Sequence, residues 1–380
     1  MNILIVNMSI DPVLGGGTVE RTCQLAKALQ KLPDTNSKVL STTAGLNGST
    51  PLDDLQSILL PCLNSRWYIP APYFRKIYRS IKWADVVILT SHWTLINAMV
   101  YLVNKFVKRP YLFCPAGALH IFGRSTFMKW FYNAIVGTSI LNQADQVIAI
   151  PNDEKEHFFK LGVPKDRIVC IPNGVAAEDF ICSDGEAFKV NYGLSGMPFL
   201  LFVGRLNEIK GPDILLQAFA RIASKYPAWH LVIAGPDGGM GNSLKQEIGK
   251  QDLKNRVHLI GFVSGKEKSK AYYAADILVI PSRLEAMSIV ALEAGICGTP
   301  VVMTDQCGFS EMVEAGAAVE VSARADSLAN VLCGLLDEPG CIQDMGVNAK
   351  HFISENYTWE IAAKKHRQLC EIFCFKPDRI

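Results

Sequence analysis

Two carboxylates and two cations stand out by type and spacing. Glu285 and Glu293 are separated by seven residues inside the run 281–302, PSRLEAMSIVALEAGICGTPVV, while Arg205 and Lys210 follow the apolar run 199–203, FLLFV. A guanidinium and an ammonium at a strand end can grip a diphosphate, because each donates charge-assisted hydrogen bonds to phosphate oxygens. Ionised carboxylates only accept hydrogen bonds, so the glutamates suit a ligand rich in hydroxyls. Glu293 could take a diol such as a ribose, and Glu285 hydroxyls on another part of the same ligand. Between them, Met287, Ser288 and Ile289 mark a helix start, where unpaired amides and the positive end of the helix dipole make a seat for phosphate.

These side chains need a strand, a turn and a helix to hold them. Residues 276–280, DILVI, form a short unbroken apolar run bounded by turn residues, which suits a parallel strand covered on both faces. Ile289, Leu292 and Ile296 then recur at helical spacing until Gly295 and Gly298 close the segment. The same alternation runs along the chain. Strands are expected at 2–7, 39–42, 57–60, 85–90, 111–114, 146–150, 168–171, 199–203, 230–234, 257–260, 276–280 and 301–304. Helices are expected at 18–30, 94–107, 127–141, 152–161, 212–225, 266–274 and 326–336, with Trp130, Phe131 and Ile135 as the apolar side of the third. Residues 46–55 read as surface loop, and 176–197, with little periodicity, as the linker between two domains. Gly15, Gly16 and Gly17 precede the first helix and let backbone approach a ligand, although Glu20 occupies the place of the third glycine in a dinucleotide fingerprint. His92 stands just past the strand 85–90, where catalytic side chains gather in doubly wound sheets; a satisfied structural histidine is the competing reading.

The run 281–302 resembles the signature of retaining glycosyltransferases of the GT-B fold, the group 1, family 4-like set that includes sucrose synthases and many bacterial surface-polysaccharide transferases. That signature has two glutamates seven residues apart, then small residues ending in Pro-Val-Val, as Glu285, Glu293, Gly298, Pro300, Val301 and Val302 do here. Where the family usually has Gly-Phe-Gly after the first glutamate, this chain has Ala286, Met287 and Ser288. Gly204-Arg205-Leu206 with Lys210-Gly211 is similar to the family's phosphate-holding cations. The turn from Gly235 resembles its Gly-x-Gly, and Gly16, Gly17, Glu20 and Arg21 resemble a loop that faces donor or acceptor. The segment 115–120 resembles a Pro-Arg-Gly turn with Ala116 in the arginine's place; relatives hold a catalytic histidine nearby, so His120 joins His92 as a candidate.

The resemblance implies an α/β protein of two Rossmann-like doubly wound domains facing across a cleft. Residues 1–178 would be the acceptor-side domain, 179–362 the nucleotide-sugar domain, and 363–380 a terminal helix crossing back to the first. It further implies transfer of a sugar from a UDP- or GDP-linked donor to a hydroxyl of a glycan or lipid-linked acceptor, with retention, in lipopolysaccharide, capsule or exopolysaccharide synthesis. Donor contacts would come from Gly16, Gly17, Gly204, Arg205, Lys210, Gly235, Phe262, Glu285, Met287, Ser288, Ile289 and Glu293. No Asp-x-Asp pair is present to hold magnesium against a diphosphate, so neither metal nor cofactor is expected.

Composition bounds the alternatives. At 380 residues and 49% hydrophobic, the chain can bury more than one core. No apolar run reaches the roughly 18 residues that span a bilayer, and a cytoplasmic protein is expected. Eleven scattered cysteines show no metal-ligand spacing and read as reduced core thiols. Residues 1–175 carry 18 Lys and Arg against 11 Asp and Glu, and residues 176–380 carry 20 against 25. The cations are densest at 66–82, RWYIPAPYFRKIYRSIK, where interleaved aromatics suit a peripheral contact with the inner face of an anionic membrane, against the alternative of a solvated helix face. Nucleic acid is not expected, since no nucleic-acid fold accompanies the patch. A sugar-nucleotide epimerase, a phosphorylase, a dinucleotide oxidoreductase and a silent subunit of a polysaccharide-assembly complex are the rival readings on the same fold class.

Overall fold

A computed structural model of the chain describes residues 1–46, 56–119, 126–152, 154–181 and 184–374. The chain divides into two compact units, Met1–Gly174 with Trp359–Ile380, and Val175–Thr358. The breaks fall at 174/175 and 358/359 rather than at 178/179 and 362/363. Both ends of the second unit meet at one place, where the Val175 amide donates to the Tyr357 carbonyl at 2.8 Å and Val175 bridges Thr358.

In the first unit the strands are β1 (Asn2–Val6), β2 (Asn36–Thr42), β3 (Ser57–Leu60), the short antiparallel pair β4 (Cys62–Asn64) and β5 (Ile69–Pro70), then β6 (Val86–Thr90), β7 (Tyr111–Cys114), β8 (Gln146–Ala149) and β9 (Ile168–Cys170). Seven of them form a parallel sheet in the order β3-β2-β1-β6-β7-β8-β9. The helices are α1 (Pro12–Gln30), α2 (Phe74–Trp83), α3 (Leu95–Val107), α4 (Thr126–Tyr132), a π-helical turn Asn133–Gly137, α5 (Thr138–Asn142) and α6 (Glu154–Lys160). Central strands such as β6 and β7 are buried at every residue, as expected where helices cover both faces of the sheet.

The second unit repeats the plan. It runs α7 (Gly185–Asn191), β10 (Phe199–Val203), α8 (Pro212–Ile222), β11 (His230–Ala234), α9 (Gly241–Lys250), β12 (Val257–Gly261), α10 (Gly265–Ala274), β13 (Ile277–Ile280), α11 (Ile289–Cys297), β14 (Val301–Thr304), α12 (Ser310–Glu314), β15 (Ala318–Val321), α13 (Ala325–Asp337) and α14 (Pro339–Asn356). Its six parallel strands lie in the order β12-β11-β10-β13-β14-β15. The order reverses between β10 and β13, and a crevice for ligands opens beyond the carboxyl ends of strands at such a switch. The last helix, α15 (Trp359–Cys374), returns to the first unit and packs along α1, burying Trp359, Ala363 and Cys370.

Three expectations need correction. Residues 176–197 are not a linker: a 3₁₀ turn Ala177–Phe180 and α7 occupy them. Asp184 caps α7 by accepting from the Ala187 amide at 3.0 Å, and the fully buried Phe188 stacks on Phe199 of β10. Seven helical residues anchored chiefly by one ring leave too few apolar positions for a period to show. The first helix begins at Pro12 rather than 18, broken at Gly16, whose φ of 55° and ψ of −141° lie outside helical values. The helix expected at 127–141 is divided by the π turn, and the apolar residues expected on its inner side face outward, Trp130 61% and Ile135 64% exposed, while Val136, Ile140 and Leu141 are the ones buried. Most of the loop 46–55, from 47 onward, lies outside the described residues, as does His120. Among the described residues no helix is long and apolar enough to cross a membrane.

Candidate functional site

The switch point of the second unit gathers most of the expected side chains. Beyond β10, the Gly204 amide donates to the Ala234 carbonyl at 2.9 Å, and the chain passes the exposed Arg205 to Lys210. Asn207 shapes this loop, its side-chain oxygen accepting from the Lys210 amide at 3.0 Å and its carbonyl from Gly211 at 3.2 Å. Gly211 has φ of 66° and lies so close to the Pro281 carbonyl that a β-carbon would collide with it. The β10 loop is thereby laid against the end of β13. Arg283 locks the two: its amide donates to Ile209 at 2.7 Å, and its guanidinium grips Asp213 through two bonds of 2.9 and 2.6 Å.

This arrangement brings the Lys210 ammonium 2.8 Å from Glu285 Oε1. The Ser282 hydroxyl donates to the same oxygen, and the Glu285 amide donates to Gln306 at 2.8 Å. Gly308, with φ of 58°, lies directly against the Ala286 carbonyl and keeps the β14 turn tight against the Glu285 loop. The Glu285 side chain is 7% exposed and that of Lys210 34%, so the carboxylate leans on this cation while the ammonium keeps an open side. At the head of α11, Met287 and Ser288 are buried and Ile289 is half-buried. The Ser288 hydroxyl has no hydrogen-bond partner among the described residues. An unspent buried donor beside the first amides of a helix is chemistry for an anion.

Glu293 sits in the second turn of α11 and is 4% exposed. Both its oxygens are engaged, one by Lys268 Nζ at 2.6 Å and the other by the Tyr272 hydroxyl at 2.6 Å. Burial, followed by the Glu293 charge, pushes the Tyr272 phenol well above its ordinary value, so it remains a donor. Lys268 and Tyr272 had not been singled out in the sequence. The signal was available, because they lie four apart on α10 and therefore on one face. Gly235 follows β11 and its amide donates to Gly261 at 2.7 Å, while Phe262, just past β12, is 60% exposed.

The first unit holds the remaining candidates. Gly16 forms the break in α1 and Gly17 is exposed. His92 follows β6, whose neighbour β1 marks the switch point of that sheet, but its side chain turns inward and is 2% exposed. Trp93, Phe113 and Tyr132 surround it, and Nε2 pairs with Asn133 Oδ1 at 2.7 Å. The same oxygen accepts from the Trp93 indole at 3.1 Å, and the π turn that begins at Asn133 carries it there. Burial pushes the imidazole down to about 4, against the opposing effect of the hydrogen bond that the ring donates to Asn133 Oδ1. The unfolded chain protonates below its ordinary value of about 6.5, so it binds the extra proton between 6.5 and 4 while the folded chain does not. Stability is expected to be level above pH 7 and to fall by up to about 3 kcal/mol as pH drops through that window. Urea midpoints measured from pH 8 to 4 check this; His92→Gln should flatten the profile in part, and an unchanged slope would remove His92 as its source.

Two parallel doubly wound units, one with a cation–carboxylate pair and an open helix head at its switch point, define the GT-B class of α/β proteins. The same fold is found in the Anabaena protein HepE, solved in complex with UDP and glucose, at a TM-score of 0.79 and 19% identity over 98% of this chain and 100% of that one. A family model for glycosyl transferases group 1 matches residues 186–352, and one for glycosyltransferase family 4 matches residues 15–179. The chain belongs to the group 1 glycosyltransferases. Among curated relatives, an uncharacterized glycosyltransferase of Methanocaldococcus jannaschii is 33% identical over 228 residues, 58% of each chain. A D-inositol 3-phosphate glycosyltransferase of Catenulispora acidiphila is 33% identical over 222 residues, 55% of this chain and 52% of that one. The matched region thus spans about half the length of these relatives.

Proposed function

We propose that the chain moves a sugar from a UDP- or GDP-linked donor to a hydroxyl of a glycan or lipid-linked acceptor, with retention of configuration and without a metal. The observation that carries this is the Lys210–Glu285 pair beside the open head of α11 at the switch point of the second unit. In the reaction, the acceptor oxygen bonds to the anomeric carbon as the bond from that carbon to the diphosphate breaks. The acceptor proton passes to the departing phosphate oxygen, and the bonding electrons leave with the diphosphate. Lys210, Arg205 and the first amides of α11 meet the charge that develops there. Glu285 takes a donor-sugar hydroxyl. Glu293 takes the ribose, since each carboxylate oxygen can accept a second hydrogen bond beside those from Lys268 and Tyr272.

Retention and metal independence rest on the family resemblance and on the two cations. The basic first unit favours an acceptor that carries phosphate, consistent with surface-polysaccharide synthesis on a lipid carrier and with the inositol phosphate named for one relative. This reading puts the reaction on the cytoplasmic side, with residues 66–82 resting on the inner membrane face. The test is thermal unfolding with UDP and with GDP in the presence of a chelator. One nucleotide is expected to stabilise the protein, by about 2.7 kcal/mol at a hundred times Kd. Arg205→Ala should weaken that shift. No shift with either nucleotide would overturn the assignment.

A further inference from the structure

We infer that Lys268 and Tyr272 make the donor site of the second unit selective for ribonucleoside over 2′-deoxyribonucleoside diphosphates, an inference that rests on Glu293 being the ribose contact. The two residues lie one turn apart on α10 and meet the same carboxylate on α11. Lys268 Nζ donates to Glu293 Oε1 at 2.6 Å and the Tyr272 hydroxyl to Oε2 at 2.6 Å, so each oxygen has its own donor. Neighbouring groups fix these donors in turn. The Tyr272 carbonyl accepts from Thr299 Oγ1 at 2.7 Å, just past the end of α11. The buried Phe180 lies against both side chains, its ring 6.0 Å from that of Tyr272 and 5.9 Å from the ammonium. A carboxylate gripped at both oxygens and only 4% exposed is set in one orientation before any ligand arrives.

The capacity left to Glu293 can be counted. An ionised carboxylate accepts about four hydrogen bonds, roughly two at each oxygen. With one at each oxygen taken by Lys268 and Tyr272, one at each remains, which matches the two hydroxyls of a ribose diol. A 2′-deoxyribose brings one hydroxyl fewer and leaves a lone pair of a buried anion unmatched. A site built to bond a hydroxyl rejects the analogue lacking it, by about 10- to 100-fold where the partner is charged. Glu293 lies five residues past Ser288, about 7.5 Å along the helix, so a diphosphate at the head of α11 leaves its ribose beside the carboxylate. The Lys268 ammonium has a second effect there. Glu285 and Glu293 would each repel a diphosphate, but each is matched by its own cation, Lys210 and Lys268. An ion pair serving the fold alone would give no preference between nucleotides that differ by one hydroxyl.

The experiment measures the affinity of the full chain for UDP, GDP, 2′-deoxy-UDP and 2′-deoxy-GDP by titration calorimetry. For whichever base binds more tightly, wild type is expected to prefer the ribonucleotide by about 10- to 100-fold. Lys268→Met should reduce that preference to about threefold or less and weaken the ribonucleotide by at least about tenfold, because Glu293 loses both its orientation and its counter-charge. Lys268→Arg keeps a charged donor and should restore most of the preference. Tyr272→Phe keeps the ring and its packing, releases Oε2, and should lower the preference in the same direction; it gives the result if Lys268→Met does not fold. Equal affinity of wild type for the two forms overturns the selectivity while leaving the transferase reading in place. A preference that survives Lys268→Met or, failing that variant, Tyr272→Phe removes these residues as its source and likewise overturns the inference. If neither ribonucleotide binds, the donor site itself is wrong and the selectivity falls with it.

Discussion

Lys210→Ala is expected to lower kcat/KM for sugar transfer by roughly a thousandfold, about 4 kcal/mol of transition-state stabilisation. Two losses combine in this one substitution. The ammonium is the half-buried cation of the β10 loop, aimed across the switch point, so its removal takes away charge that the departing diphosphate needs. It also strips the counter-charge from Glu285, whose 7% exposed side chain would then keep, among the described residues, the Ser282 hydroxyl as its donor. A buried carboxylate without its cation costs several kcal/mol, and the loop that carries it is free to re-form around water or a protonated acid. Arg205→Ala removes a cation that lies exposed rather than against the buried carboxylate, and should cost only about tenfold to a hundredfold. Because charge on the leaving group develops in the transition state, the loss for Lys210→Ala should lie more in kcat than in KM. Steady-state kinetics with the donor found by thermal shift decide it; a loss below tenfold would mean that the ammonium serves Glu285 alone.

The second large effect is expected in stability. Glu293→Ala should destabilise the second unit by about 3–5 kcal/mol, because it leaves the Lys268 ammonium and the fully buried Tyr272 hydroxyl facing an empty position on α11. Glu293→Gln keeps the shape and one acceptor, and should cost less. The double variant Glu293→Ala with Lys268→Met should recover part of the loss, since it removes the cation that faced the carboxylate. Urea unfolding of the four proteins provides the comparison. An unchanged midpoint for Glu293→Ala would show that water replaces the carboxylate at little cost. Nucleotide affinity measured on Glu293→Gln, which should remain folded, then reports the ribose contact separately.

Much of the fold was legible in the residues because a parallel strand covered on both faces is an unbroken apolar run, and such runs are visible one at a time. FLLFV, HLVIA and VVMT are strands over the residues expected. Elements that bury only part of themselves were harder. Edge strand β15, AVEV, buries only its first and last residues, and α7 holds to the core chiefly through Phe188. The outward turn of Trp130 and Ile135 could not be read from their period. A helix with an apolar side has the same sequence pattern whether that side meets a core or awaits a partner.

The candidate site divides along the same line. Residue type and spacing picked out Glu285, Glu293, Arg205 and Lys210, and placed three of them in turns after apolar runs and Glu293 on the helix that follows, because a turn after an apolar run is a local event written in adjacent residues. Which carboxylate meets which cation was decided by the sheet. The order β12-β11-β10-β13 sets the loop after β10 beside the loop after β13, and Lys210 reaches Glu285 across 75 residues of sequence. Glu293, eight positions further on, has turned with its helix toward α10 and belongs to Lys268 and Tyr272 instead. His92 likewise stands where the pattern of β6 puts it, yet its ring points inward because Asn133, brought by a π turn some 40 residues away, offers the acceptor there. Residue types and short spacings therefore determined which groups the candidate site contains. Tertiary structure alone decided their partners and their access to solvent, since both depend on contacts between segments that the chain keeps far apart.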